Sequence, residues 1–207
     1  MNNPEVTHQA LMLLRNGDYF QWYLILGLAL VVYIYTTEIS NKNWKKVAAG
    51  LSYYMVHWFV EIVNGLIQHF SGHALWTVPS GTSFLLLIGV GAELSLMFMI
   101  SGLALSKLLP ENPKDKIFGV NNRLLYIIGN AAFYSVFEIF LIRTPAFAWV
   151  YPWWGSVPVF ITVYIPFFAI SVWCHDSNSS TQRKFIVSLF IINASMLTIF
   201  AGFLKWI

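Results

Sequence analysis

The sequence predicts an all-α membrane protein, a polytopic bundle of six transmembrane helices forming one domain over residues 1–207. Three observations lead there. Charged residues make up 10% of the chain and hydrophobic residues 57%, whereas a soluble domain carries about 25% charged residues. Six apolar segments approach the roughly 20 residues that a helix needs to cross a bilayer. They lie at about 19–37, 47–68, 82–106, 124–142, 158–174 and 185–204. Polar, Pro or Gly residues punctuate them, as in Asn41-Lys42-Asn43 and Pro110-Glu111-Asn112-Pro113.

The basic residues orient the spans. Lys42, Lys45 and Lys46 follow the first span, Lys107, Lys114, Lys116 and Arg123 the third, and Arg183 and Lys184 the fifth. The opposite side holds Arg15, Arg143 and Lys205. Lys and Arg accumulate in cytoplasmic loops, so both termini are expected outside. The net charge of +3 is scattered among short loops, which argues against a nucleic-acid partner. The single Cys174 excludes an intramolecular disulfide. Residues 1–18 are polar, with Arg15 as their basic residue, and do not read as a cleavable signal peptide.

Two outer connections then stand out. Residues 69–81 contain His69, His73, Trp76 and a Ser80-Gly81 turn; residues 143–157 contain Trp149-Val-Tyr151-Pro152-Trp153-Trp154-Gly155. The second suits an interfacial aromatic belt, or a rim over an outward cavity in which Trp154 meets a substrate.

Glu61, Glu93 and Glu138 sit inside predicted spans, with no Lys or Arg at similar depth. An ionisable group in a bilayer costs at least about 2–3 kcal/mol and marks a functional site by default. At 100° per residue the second span places Tyr53, His57, Glu61, Asn64 and Gln68 within an arc of about 80°. The fourth span aligns Arg123, Asn130, Tyr134 and Glu138. The sixth adds Asn193. At 1.5 Å per residue, Glu61 and Glu138 lie roughly 20 Å from the inner boundary and Glu93 roughly 15 Å from the outer one. The seams are expected to meet near the midplane, with Tyr53, Asn64, Asn130, Tyr134 and Asn193 available to bind substrate. Asn and Tyr also serve simply as bonds between membrane helices.

Carboxylates that lack cations in low dielectric hold or share protons. His57 and Glu61 lie one helical turn apart, and Glu93 would face them. Such a set suits protonation of a carbon–carbon double bond and proton loss elsewhere, with Trp58, Phe133 and Tyr134 offering aromatic faces to a carbocation. Glu61 and Glu93 are expected as acid and base in either order, His57 to position or relay the proton, and Glu138 to complete the cavity or stabilise positive charge.

Tyr54-Met-Val-His57-Trp-Phe-Val-Glu61-Ile-Val-Asn64 resembles the second-helix motif of the EXPERA/emopamil-binding-protein family, which includes the sterol double-bond isomerase. The resemblance implies a compact helical membrane bundle around an apolar cavity. It also implies His57 and Glu61 as proton-handling residues and Glu93 as the acid of the following helix. Phe133-Tyr-Ser-Val-Phe-Glu138 resembles the aromatic–acid pattern of its fourth helix. The apolar-helix-with-Glu pattern also resembles small membrane terpene and carotenoid cyclases.

Other classes remain open. His69-x-x-x-His73 has metal-ligand spacing, but both histidines sit at the outer boundary and Gly72 interrupts the helix, so no metal is expected. No phosphate loop or nucleophile elbow appears, and no organic cofactor is expected. Intramembrane acids also serve proton- or ion-coupled transporters; six spans make a small one, which a homodimer would enlarge. The third class is a structural or accessory subunit. The leading expectation is an isomerase- or cyclase-type enzyme for an apolar lipid or isoprenoid, with membrane lipids as its surroundings.

Overall fold

The computed structural model describes residues 4–80 and 84–207. Its helices are α1 (Pro4–Leu13), α2 (Tyr23–Ser40), α3 (Trp44–Ser71), α4 (Ala92–Ser106), α5 (Asn122–Leu141), α6 (Ser156–Val159), α7 (Ile165–Asp176) and α8 (Ser179–Met196). A π-turn over Phe160–Tyr164 joins α6 to α7 as one rod, and a second, Leu197–Phe203, extends α8. Helix thus falls in each of the six predicted segments. Four of these helices are long and apolar enough to cross a membrane: Tyr23–Ser40, Asn122–Leu141, Ser156–Asp176 and Ser179–Phe203. Ala92–Ser106 is apolar but shorter, and the 28-residue α3 carries the polar seam.

Helix α3 is the axis of the bundle and packs against α4, α7 and α8; α2 packs on α4, and α5 on α7. Small residues set the α3–α4 approach. A Cβ on Gly102 would lie 2.9 Å from the Gly50 carbonyl oxygen, so the two backbones nearly touch. Close packing of small residues replaces the hydrophobic drive that helices lose in lipid. The outward faces are apolar too: Leu26, Tyr33, Phe133 and Phe190 are all exposed, as a bilayer demands.

The third predicted segment departs from expectation. Thr82 and Ser83, its first residues, and Gly81 of the expected turn lie outside the described residues. Leu85–Leu87 (β2) and Val90–Gly91 (β3) form an antiparallel hairpin through Ile88-Gly89, and helix begins only at Ala92. A short apolar run has no periodicity to separate strand from helix, and Gly89 and Gly91 favour the turn. Two more strand pairs modify the all-α expectation. Trp76–Thr77 (β1) pairs with Ala148–Trp149 (β6), and Lys116–Ile117 (β4) with Val120–Asn121 (β5). The β1–β6 pair, the β2–β3 hairpin and α1 together close the end of the bundle opposite the lysines. Thr77 Oγ1 donates to the Val6 carbonyl, and Arg15 donates to the Leu86 carbonyl, tying α1 and the chain after it to this cap.

The lysine-rich end has its own lock. Arg123 grips Asp176 with two bonds of 2.8 and 2.9 Å and also donates to the Pro110 carbonyl. Glu38, at the end of α2, is buried against Lys107 and accepts from Asn43.

Candidate functional site: a two-glutamate chamber beneath paired tryptophans

Trp76 and Trp149 are directly opposite in the β1–β6 pair, so their side chains leave the same face of the ribbon. Both point into the bundle. Trp76 Nε1 donates to Glu61 Oε1 at 3.2 Å, and Trp149 Nε1 donates to Glu138 Oε2 at 3.0 Å. One ribbon thereby holds two carboxyl groups from two helices. A third donor, the Tyr164 hydroxyl, bonds Glu138 Oε1 at 2.5 Å. Tyr164 closes the π-turn. Pro166 lacks an amide hydrogen, and a widened turn accommodates it. That local irregularity places the tyrosine.

Glu61, Glu138, His57, Trp76, Tyr134 and Tyr164 line one chamber of about 40 Å³, room for a few waters. Its other walls are apolar or aromatic. Glu61 is 4% exposed and Glu138 9%. Glu61 Oε2 and His57 Nε2 are buried with no hydrogen-bond partner among the described residues. His57 Nδ1 stands 4.0 Å from Glu61 Oε1, beyond hydrogen-bond length, and the ring stacks on Phe98 at 4.0 Å. Gly89 at the hairpin turn presses on the same cluster. A Cβ there would lie 2.6 Å from Glu61 Oε2 and 2.5 Å from Asn64 Nδ2, so only glycine fits.

Glu93 does not share this chamber. Because α4 starts at Ala92, Glu93 stands in its first turn rather than deep in a long helix. Its Oε1 accepts from the Tyr23 hydroxyl at 2.6 Å. It lines an adjoining apolar groove of about 360 Å³ with Tyr23, Val78 and Ala146. Leu94, Met97, Leu141 and Phe147 line both spaces and form the wall between them.

The remaining predicted residues are spread more widely. Asn64 clamps the ribbon: Nδ2 donates to the Trp76 carbonyl and Oδ1 accepts from Leu75 N–H. Tyr53 is fully buried among Phe98, Phe167 and Phe168. Asn193 ties α8 to the Met55 carbonyl of α3. Asn130 bonds back to its own helix at Tyr126. Trp154 stacks on Trp76 at 5.6 Å and so supports the lid. Phe133 is exposed on the bundle exterior and offers no face to the chamber. Helix α3 ends at Ser71, and Gly72 caps it in the left-handed region, so His69 and His73 are not on one helical face. His69 stacks on Trp206 instead. Among the described residues, no group of three or more His, Cys, Asp or Glu is placed to hold a metal.

The sequence does not single out Trp76, Trp149 and Tyr164 as partners of the acids. Tyr164 carries a signal, a polar group two residues before a proline in an apolar span. The tryptophan pairing carries none, because its strands are two residues long and far apart in the chain.

A protein of Archaeoglobus fulgidus, described as an uncharacterized protein, is 40% identical over 208 residues, covering 98% of this chain and 99% of the relative. No solved structure matches the chain. With its apolar helices and a family model matched over residues 4–202, the chain belongs to a family described as an uncharacterized membrane protein family.

Proposed function

We propose that the protein is an integral membrane enzyme that moves protons onto and off an apolar lipid or isoprenoid, in an isomerisation or cyclisation type of reaction. The observation that carries this reading is the pairing of two differently bonded carboxyl groups in one apolar chamber. Glu138 accepts from two donors, which suits the charged form. Glu61 accepts from one and keeps Oε2 bare, which suits an acid. Two carboxyl groups in unlike environments divide into acid and base.

In this scheme the Glu61 carboxyl proton adds to a carbon–carbon double bond. The π electrons form the new C–H bond, and the neighbouring carbon becomes cationic. The faces of Tyr134, Tyr164 and Phe98 and the charge of Glu138 stabilise that cation. Glu138 then removes a proton from an adjacent carbon, and the released pair makes the new double bond. Exchange with water in the emptied chamber returns a proton to Glu61 and takes one from Glu138 before the next turnover. In a cyclisation a second double bond attacks the cation first. His57 positions the Glu61 side of the chamber. The EXPERA-like motif around His57 and Glu61 supports the same chemistry.

At about 40 Å³ the chamber is too small for a lipid, while the groove lies within the usual range of about 300–1,000 Å³ for ligand sites. The substrate docks in the groove, with the Tyr23–Glu93 pair at its polar edge. It reaches the carboxyl groups when Leu94, Met97, Leu141 and Phe147 part. A transport path is less well supported. Tyr53, Phe98, Phe167 and Phe168 pack ring against ring between the chamber and the lysine-rich end.

Cryo-electron microscopy of protein purified with its membrane lipids tests the site. Elongated apolar density in the groove, directed at Glu61, is the expected result. A lipid bound only elsewhere on the bundle counts against the reading.

All six helices cross the bilayer in this proposal, with both termini outside and the chamber near the outer leaflet. A cysteine at position 112, in a Cys174-free background, is expected to resist an impermeant reagent applied outside sealed cells. Labelling there would invert the topology.

A further inference from the structure

We propose that the lysine-rich end holds a second site, a phosphoryl-binding cavity, distinct from the chamber and independent of its chemistry. The sequence explains the lysines of this end as topology signals, and that role asks only that they lie in cytoplasmic loops. It does not ask that they converge. In the fold, Lys42, Lys45 and Lys46 from the α2–α3 connection meet Lys107 from the end of α4 and His175 from the end of α7. Together they line one polar cavity of about 660 Å³. Lys114, Lys116, Arg183 and Lys184 do not line it.

The charge around the cavity is unbalanced. Lys107 is engaged by Glu38, and Glu111 is the one carboxylate on the wall among the described residues. Glu38 also lies within electrostatic reach of Lys46, but it is one carboxylate against two lysines, and Lys42 and Lys45 complete the cationic side. Asn43 turns its amide to Glu38 rather than capping α3, so its side chain does not compete for an anion at this turn. The amino ends of α3 and α8 open on the same space through Trp44 and Ser179 and add to its positive potential, although the lysines set its sign. Trp44 is 54% exposed at the rim, where an indole suits the level of lipid headgroups. The cavity is roughly 24 Å from Glu61 along α3.

Lysine binds phosphate as a point charge, so the ligand class is a phosphoryl group, carried by an anionic lipid headgroup or free in solution. The test uses the full chain in phosphatidylcholine nanodiscs, where both faces are accessible whatever the cellular orientation. Native mass spectrometry measures retention of added phosphatidylglycerol over neutral lipid, and calorimetry measures binding of inorganic pyrophosphate. Saturable binding of the lipid assigns a headgroup, and saturable binding of pyrophosphate assigns a soluble ligand. Each lysine near a membrane surface contributes about fivefold in affinity, so Lys45→Gln/Lys46→Gln is expected to weaken binding about 30-fold. Lys114→Gln/Lys116→Gln is expected to leave it unchanged. Should the first variant fail to fold, exposed Lys42→Gln replaces it, with about a fivefold loss expected. Absence of saturable binding of both probes, or equal losses in cavity and control variants, would overturn the proposal.

Discussion

Glu61→Gln and Glu138→Gln are each expected to lower turnover by about 10²- to 10⁴-fold, the range supplied by a positioned acid or base. An amide keeps the size of the side chain but cannot exchange a carboxyl proton. The two variants are expected to differ in stability, which makes the prediction more demanding. In Glu61→Gln the amide oxygen still accepts from Trp76 Nε1, and the NH₂ takes the place of Oε2, which faces no donor. In Glu138→Gln the NH₂ must face either the Trp149 indole, which can only donate, or the Tyr164 hydroxyl, which can accept it only by turning its own proton away from the acceptor it has in the native site. Either way one buried donor is left without an acceptor, which costs about 1–3 kcal/mol. Thermal melting of the purified variants should therefore leave Glu61→Gln near the parent and Glu138→Gln lower. Combining Glu138→Gln with Tyr164→Phe should recover part of the loss. Equal melting temperatures for the two single variants would contradict the hydrogen-bond assignment. Arg143→Ala and Lys205→Ala, neither of which lines the chamber or the groove, should change turnover little.

Asp176→Asn is expected to destabilise the bundle by about 3 kcal/mol, the low end for breaking a buried pair because Asp176 is partly exposed. The cost comes from Arg123, whose side chain is 10% exposed and would keep its charge in a place that no longer neutralises it. This arginine joins three elements: the chain before β4 through the Pro110 carbonyl, the start of α5, and the end of α7. His175 Nδ1 is also 2.8 Å from Asp176 Oδ1 and would lose its partner's charge. Arg123→Lys should not preserve stability, since a point charge cannot reproduce the two-bond fork. Melting curves of both variants check this; a loss below about 1 kcal/mol would show that the pair is effectively solvated.

The polar residues of α3 are legible because an ionisable side chain stands out against an apolar helix. His57, Glu61 and Glu138 are found in this way and line one chamber. Asn64 is found too, yet its partner is the backbone of β1, and a seam does not say what it bonds. Glu93 sits at a different depth from the one expected because Leu85-Leu86-Leu87-Ile88 reads equally as helix or strand. Hydropathy counts such a run toward a span whatever its shape. The indole donors depend on strands of two residues brought together by the ends of α3 and α5, a contact set by tertiary packing alone. Arg123 reads as a topology signal, and its pairing with Asp176 needs the closeness of α5 and α7. Local chemistry therefore identifies the acids, and only the packed bundle identifies what holds them.

Solvent deuterium tests directly whether the chamber moves protons onto a lipid. Full-length protein in nanodiscs is incubated in D₂O with the isoprenoid lipids extracted from its own membranes, and the recovered lipids are analysed by mass spectrometry. The parent protein is expected to introduce one solvent-derived deuterium into a single rearranged product, and Glu61→Gln is expected to introduce none. Unchanged lipids with the parent, or equal labelling by the parent and Glu61→Gln, would contradict proton transfer by this pair of glutamates.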